Sequence, residues 1–224
     1  MSINEPMLPR RFSLPGEDDD GGSAYQYGRT GSQHGVPLLG EDEFHAIDVR
    51  SHGNNGIEIP FNGDPFNGII SHLSAQCHDN PAKKGLVSIS GNSINPNYTA
   101  TLPHVLQKDW TGFWCSANEP NSYITIDFLE HRVKLTHYTL KSYNASSEWR
   151  HMKSWVIEGS NGTSWKEIHR IKRGNYLNGP YKVATFPVRN AAFYQTIRIK
   201  MIGPNHYGDY NLFLMGLEFF GVLE

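Results

Sequence analysis

The stretch Tyr123-Ile-Thr-Ile-Asp-Phe128 alternates strictly between apolar and polar residues after its first position. Successive side chains of an extended chain point to opposite faces, so Ile124, Ile126 and Phe128 share one face and Tyr123, Thr125 and Asp127 the other. That is the pattern of a half-buried strand. Outward from it, short runs rich in Val, Ile, Thr, Tyr and Phe recur near residues 68–73, 86–90, 133–143, 154–159, 165–171, 182–186, 196–202 and 217–222. Clusters of Gly, Asn, Pro and Ser part them, a spacing that predicts an all-β sandwich of about eight to nine antiparallel strands. Asn161-Gly162 lies between two such runs and predicts a two-residue hairpin turn, since both residue types tolerate positive φ. One short helix is expected around residues 104–107.

Composition agrees with a loop-rich β protein. The chain has 224 residues, 38% of them hydrophobic, with 22 Gly and 13 Pro. A formal charge of −2 and a pI near 6.6 argue against a general nucleic-acid or membrane-surface binder. No apolar run approaches the ~18 residues of a membrane span. The start, Met1-Ser-Ile-Asn-Glu-Pro6, lacks a basic stretch followed by an apolar one, which predicts a cytoplasmic chain. Cys77 and Cys115 are too few for a disulfide framework and are expected as free thiols packed like small apolar groups. The sequons at Asn97, Asn144 and Asn161 read as turn chemistry.

Residues 1–60 differ from the rest. They show no sustained period, carry the acidic run Glu17-Asp-Asp-Asp20, and hold only four aromatic residues, Phe12, Tyr25, Tyr27 and Phe44. Such a stretch buries too little apolar area to offset its ordering entropy, which predicts an extended, disordered-like arm. Short apolar beads punctuate it: Leu38 and Leu39, Phe44 and Ile47, then Ile57, Ile59 and Phe61 at the junction. These are expected to dock into pockets, on a partner or on the chain's own domain, which is taken to span residues 61–224. Arg10-Arg-Phe-Ser-Leu-Pro15 places two Arg before Ser13 and marks it as a candidate phosphorylation site for a basophilic kinase.

Four blocks in residues 61–224 carry a family resemblance. They are Ser122-Tyr-Ile-Thr-Ile-Asp-Phe128, Ser154-Trp-Val-Ile-Glu-Gly-Ser-Asn161 leading to Trp165, Phe193-Tyr-Gln-Thr-Ile-Arg-Ile199, and Leu214-Met-Gly-Leu-Glu-Phe-Phe-Gly221. In this order they resemble the discoidin, or coagulation factor 5/8 type C, domain: a galactose-binding-like jelly roll of two antiparallel sheets. Tyr123 stands where the family usually has Trp. Phe66-Asn-Gly-Ile-Ile-Ser-His-Leu73 and Gly203-Pro-Asn-His206 resemble an intracellular eukaryotic branch often joined to BTB, ankyrin or ligase modules. The resemblance implies a non-catalytic domain that binds sugars, lipid headgroups, calcium or proteins through loops at one end of the sandwich.

The sequence carries few signals of chemistry. No phosphate loop, dinucleotide fingerprint or zinc-protease motif occurs, and Gly91-Asn-Ser-Ile-Asn95 does not complete a nucleophile elbow. His131 and His137 would lie about 20 Å apart on a strand, too far to share a metal. The expectation is no enzyme, no cofactor and no metal. Three loop clusters remain. Trp149-Arg150-His151 sets an aromatic face beside Arg and His and either stacks a ligand or covers the sandwich edge. Asn205-His206-Tyr207-Gly-Asp209-Tyr210-Asn211 offers hydroxyl, amide and imidazole groups, or fastens its own loop through Asn205 and His206. Ser116-Ala-Asn-Glu-Pro-Asn121 holds oxygen ligands for calcium but only one carboxylate.

The leading expectation is an intracellular protein-interaction module whose arm docks onto a larger assembly, cytoskeletal or ciliary by analogy with a discoidin-like subunit of the intraflagellar-transport machinery. The alternative is a lectin-like module binding a carbohydrate or other small ligand through Trp149, Arg150 and the 205–211 loop. A third is a substrate-recruiting subunit of a ubiquitin ligase. Neither nucleic acid nor membrane is expected as a partner.

Overall fold

The computed structural model describes residues 56–189 and 191–224. The alternation read at residue 123 becomes β4 (Tyr123–Asp127), with Ile124 and Ile126 fully buried between two sheets. Its sheet has five antiparallel strands. The order runs from β2 (Ser88–Gly91) through β4, β9 (Thr196–Met201) and β6 (Trp155–Ser160) to β7 (Trp165–Ile171). The facing sheet has four strands: β1 (Ile57–Ile59), β11 (Gly216–Leu223), β5 (Val133–Lys141) and β8 (Val183–Pro187). A two-stranded ribbon of β3 (Trp114–Cys115) and β10 (Phe213–Leu214) closes one end. Ile124, Ile126, Ile197, Ile199, Trp155 and Ile157 from the first sheet pack on Val133, Leu135, Tyr138, Leu140, Leu217 and Phe219 from the second. This is the discoidin-like β-sandwich that the sequence predicts.

A polar stitch crosses the core. The Tyr138 hydroxyl, from β5, accepts a hydrogen bond from Trp155 Nε1 of β6 at 3.0 Å. It donates to His169 Nδ1 of β7 at 2.8 Å. Burial pushes the Tyr138 hydroxyl's pKa up and the His169 imidazole's down, so both stay neutral and the bond persists.

Three expectations are corrected. Residues 68–73 are not a strand but the start of α1 (Ile69–Cys77). Ile69, Ile70 and Leu73 fall on one helical face and are buried, a spacing that two adjacent β-branched residues disguise as a strand. Gly68 opens the helix so close to β11 that a Cβ there would sit 2.2 Å from the Phe219 carbonyl oxygen. The short helix expected at 104–107 is the end of a longer run of 3-10 turns, Pro96–Leu106, started by Asn95, whose side chain accepts from the Asn97 N–H. The turn at Asn161-Gly162 spans four residues, because β6 ends at Ser160 and β7 begins at Trp165.

Of the two docking places open to the beads at the junction, Ile57 and Ile59 take the chain's own domain: they pair antiparallel with Leu223 and Gly221 of β11, and Ile59 is buried. Phe61 lies on the outer face of the same sheet, edge-on to Phe220 at 5.1 Å and tilted over His137 at 5.3 Å. The three beads therefore dock on the chain's own sandwich. Leu38, Leu39, Phe44, Ile47 and Ser13 lie outside the described residues. Cys77 and Cys115 are free, Cys115 buried and Cys77 half-buried.

β5 carries one bulge. The register of β11 against it shifts between Phe220 and Gly221, leaving Thr136 of β5 as the extra residue. Gly221 takes φ +142° there, and a Cβ would stand 2.0 Å from the Lys134 carbonyl oxygen, so only glycine fits.

Candidate functional site

The three loop clusters, distant in sequence, form one surface at the end of the sandwich closed by the β3–β10 ribbon. Ser116 ties two of them together: its N–H donates to Leu212 O at 3.0 Å, and its Oγ accepts from the Leu212 N–H at 2.8 Å. Its carbonyl accepts from Asn211 Nδ2 at 2.8 Å. The Tyr210 N–H donates to Asn118 Oδ1 at 2.8 Å. The third cluster joins through the His206 N–H, which donates to the His151 carbonyl at 3.0 Å.

Asn205 is the spool on which the 205–211 loop is wound. It is buried, and its Oδ1 accepts from the N–H groups of Tyr207, Gly208 and Asp209 at 3.1, 3.1 and 3.2 Å. Its Nδ2 donates to Asp209 Oδ1 and, at 3.1 Å, to the Asn211 carbonyl. The His206 side chain is 1% exposed, with Nε2 donating to Gly174 O at 3.2 Å. Between the two readings of this pair, the geometry matches fastening: both side chains point inward and are occupied.

His151 also faces inward. Its Nε2 lies 3.0 Å from both the Ala145 and Ser146 carbonyls and donates to them. Burial holds its pKa below the ordinary imidazole value, so the ring is neutral. Tyr143 stacks between His151 and Phe213, its hydroxyl pushed up to about 12 by burial. Cys115 lies beneath, its thiol likewise raised to about 12, chiefly by desolvation, which makes it unreactive.

What this scaffold presents outward is aromatic. Trp149 is 39% exposed and Tyr207 53% exposed, and their ring centroids stand 4.8 Å apart with planes at 54°. The Arg150 guanidinium lies over both rings, 5.1 Å from the Trp149 centroid and 4.8 Å from that of Tyr207. Asp209 fixes it there: Arg150 Nε donates to Asp209 Oδ2 at 2.6 Å. Partial burial opposes the guanidinium's charge, but the Asp209 carboxylate more than offsets it and raises its pKa. Tyr210 is half-buried and holds the loop through its backbone.

Of the sequence-singled residues, then, Trp149, Arg150, Tyr207 and Asp209 converge on one exposed feature. Asn205, His206, His151 and Tyr210 support it from behind or beside. The calcium reading of residues 116–121 loses its ligands to protein partners, since Asn118 Oδ1 accepts from Tyr210 and Glu119 Oε2 accepts from Ser93 Oγ at 2.5 Å. Among the described residues no three His, Cys, Asp or Glu side chains gather closely enough to hold a metal. Sequence reasoning missed Glu148 and Asn178, which bind one another and brace the turn before Trp149. Nothing in the sequence pairs residues 30 positions apart.

Residues 88–215 match the family model described as the F5/8 type C domain. No curated protein matches the chain. Among solved structures, a Clostridium perfringens module, CpGH89CBM32-5, in complex with GalNAc-beta-1,3-galactose aligns at TM-score 0.49 and 10% identity, over 61% of this chain and 96% of that one. The family 32 CBM of C. perfringens NanJ, in complex with galactose, aligns at TM-score 0.47 and 12% identity, over 63% and 96%. The C-terminal domain of a chitobiase from Bacteroides fragilis aligns at 0.49 and 19%, over 63% and 97%.

Proposed function

This chain belongs to the F5/8 type C domain family, and on that footing we propose that it acts as a non-catalytic carbohydrate-binding module. The ligand rests on Trp149 and Tyr207, with Arg150 supplying the directed hydrogen bonds. The observation that carries the reading is the exposed aromatic pair bridged by a guanidinium that a carboxylate already holds in place. A sugar ring has an apolar C–H face that packs on an aromatic face, and a rim of hydroxyls that needs fixed donors and acceptors. Arg150 Nε is committed to Asp209, which leaves its terminal nitrogens to meet hydroxyls. Because the Asn205 spool and the Arg150–Asp209 pair set the loops beforehand, little ordering entropy is lost on binding.

The assembly reading placed at the arm has given up Ile57, Ile59 and Phe61 to the sandwich, and the carbohydrate reading takes precedence over it. A glycan array followed by calorimetry on the best hit tests the proposal. Wild type is expected to bind a defined set of saccharides, and Trp149→Ala to lower affinity at least tenfold with the fold intact. Absence of any saccharide hit, or a hit unchanged by both Trp149→Ala and Tyr207→Ala, overturns it.

A further inference from the structure

A basic cleft of about 620 Å³ is lined by Lys153, Arg170, Lys172 and Arg173 with Gly203 and Pro204. It continues past Arg173 into a second hollow of about 550 Å³ edged by Asn175 and the exposed Tyr176. Of the four cations Arg170 is paired with Glu167, whose Oε1 accepts from Arg170 Nε at 2.9 Å, and Lys172 feels the same carboxylate without pairing with it. Among the described ion pairs none engages Lys153, Lys172 or Arg173. Three cations outside the described ion pairs, gathered around one concavity in a chain of net charge −2, are a local inversion of sign that attracts an anion.

The cleft and the aromatic pair hang on the same two chain segments, 149–154 and 202–207. The Arg173 N–H donates to Ser154 Oγ at 3.0 Å, and the Gly174 N–H to Lys153 O at 2.8 Å. The Ile202 N–H donates to Ser154 O at 3.1 Å, and His206 Nε2 reaches Gly174 O from the other side. Four residue steps separate Trp149 from Lys153, at most about 14 Å of chain. That bound on the separation of the two backbone positions is within the length of a short oligosaccharide.

We infer that the site takes an anionic carbohydrate: one sugar ring on Trp149 and Tyr207, and a sulfate or carboxylate borne by the same saccharide in the cleft of Lys153, Lys172 and Arg173. This rests on the carbohydrate reading above and adds the charge of the ligand. Lys and Arg provide strong charge-assisted hydrogen bonds to such groups, and a concave wall weakens screening by salt.

Calorimetry on the full chain tests it, with a heparin tetrasaccharide, its fully desulfated counterpart, inorganic sulfate and a single-stranded oligothymidylate as probes, at 50 and 200 mM salt. The sulfated tetrasaccharide is expected to bind at least tenfold tighter than the desulfated one. The preference should shrink at the higher salt and vanish in Lys172→Ala/Arg173→Ala, whose melting temperature should stay near wild type. Equal affinity for the two tetrasaccharides overturns the anionic inference and leaves the carbohydrate reading standing. A sulfate preference that survives the double variant, or oligothymidylate binding tighter than the sulfated saccharide, overturns it as well. Sulfated binding lost in the double variant but untouched by Trp149→Ala supports the anion cleft and removes the aromatic platform instead.

Discussion

Two carboxylates show how differently this sandwich uses charge at its two flanks. Glu218, on β11, is 2% exposed and faces the start of α1. Its Oε1 accepts from the N–H groups of Ile70 and Phe219 at 2.7 and 2.8 Å, and its Oε2 from Ser71 at 3.0 Å. It does for α1 what a capping side chain usually does from the residue just before a helix, a place that Gly68 leaves without a side chain. Asp209, in the loop end, is more open and holds a guanidinium at the surface. One carboxylate is consumed inside the fold; the other shapes a surface that faces solvent. Stability should therefore answer to Glu218 and ligand affinity to Asp209, and each can be moved without the other.

The largest effect expected on the first half of that contrast is from Glu218→Ala. It orphans two buried N–H donors and one half-buried one, each buried donor worth roughly 1–3 kcal/mol when left unpaired, so a loss of about 3 kcal/mol is expected in urea unfolding. A loss under about 1 kcal/mol would mean that α1 is held by its apolar face alone. The pH dependence sharpens the point. Burial pushes the Glu218 carboxyl from 4.5 up to about 7, against the pull of its N–H donors. Between those values the native state holds a proton that the unfolded chain has released, so stability falls as pH rises through the window and levels off above about pH 8. The fall is on the order of 3 kcal/mol. His151 and His169, with lowered pKa values, act in the opposite sense below about pH 6.5. The measurement is therefore the stability difference between wild type and Glu218→Gln from pH 5 to 8, and a flat difference breaks the assignment.

A smaller effect, still on stability, is expected at the stitch between the sheets. Tyr138→Phe removes the acceptor of Trp155 Nε1 and the donor to His169 Nδ1. About 1–3 kcal/mol is expected, since Trp155 stays buried and His169 half-buried without their partner. Saccharide affinity should not change.

The strands were legible because half-buried strands write their burial into alternation: in β4, Tyr123–Asp127, buried and half-buried residues alternate as the sequence suggests. Elements held from far away were not. The cap of α1 comes from a residue 148 positions on, so Ile69-Ile70 read locally as strand. β1 has three residues, too few for a period to show, and only its pairing with β11 takes it out of the arm. The same limit governs the site. Trp149, Arg150, Tyr207 and Asp209 stood out as residue types suited to binding, but that Arg150 meets Asp209, 59 positions away, is a product of the fold. Asn205 could be read either way until its side chain was seen turned inward.

The subtlest test separates posing a surface from building one. Asp209→Asn keeps the size of the side chain and removes the charge that pins the guanidinium, and its single amide oxygen accepts from Arg150 Nε only by giving up Asn205 Nδ2. Asn205 Nδ2 keeps its bond to the Asn211 carbonyl and the ion pair is partly exposed, so the stability change should stay near or below about 1 kcal/mol. Affinity for the best saccharide should fall several-fold, because Arg150 must then be ordered by the ligand rather than beforehand. Trp149→Ala should move stability even less, within about 0.5 kcal/mol as for other exposed positions, yet lower affinity more. If Asp209→Asn lowers the melting temperature as much as Tyr138→Phe, the carboxylate is part of the fold's own framework, as Glu218 is, and the contrast between the two flanks fails. If it leaves both stability and affinity unchanged, Arg150 is held by its two aromatic neighbours alone, and Asp209 drops out of the site.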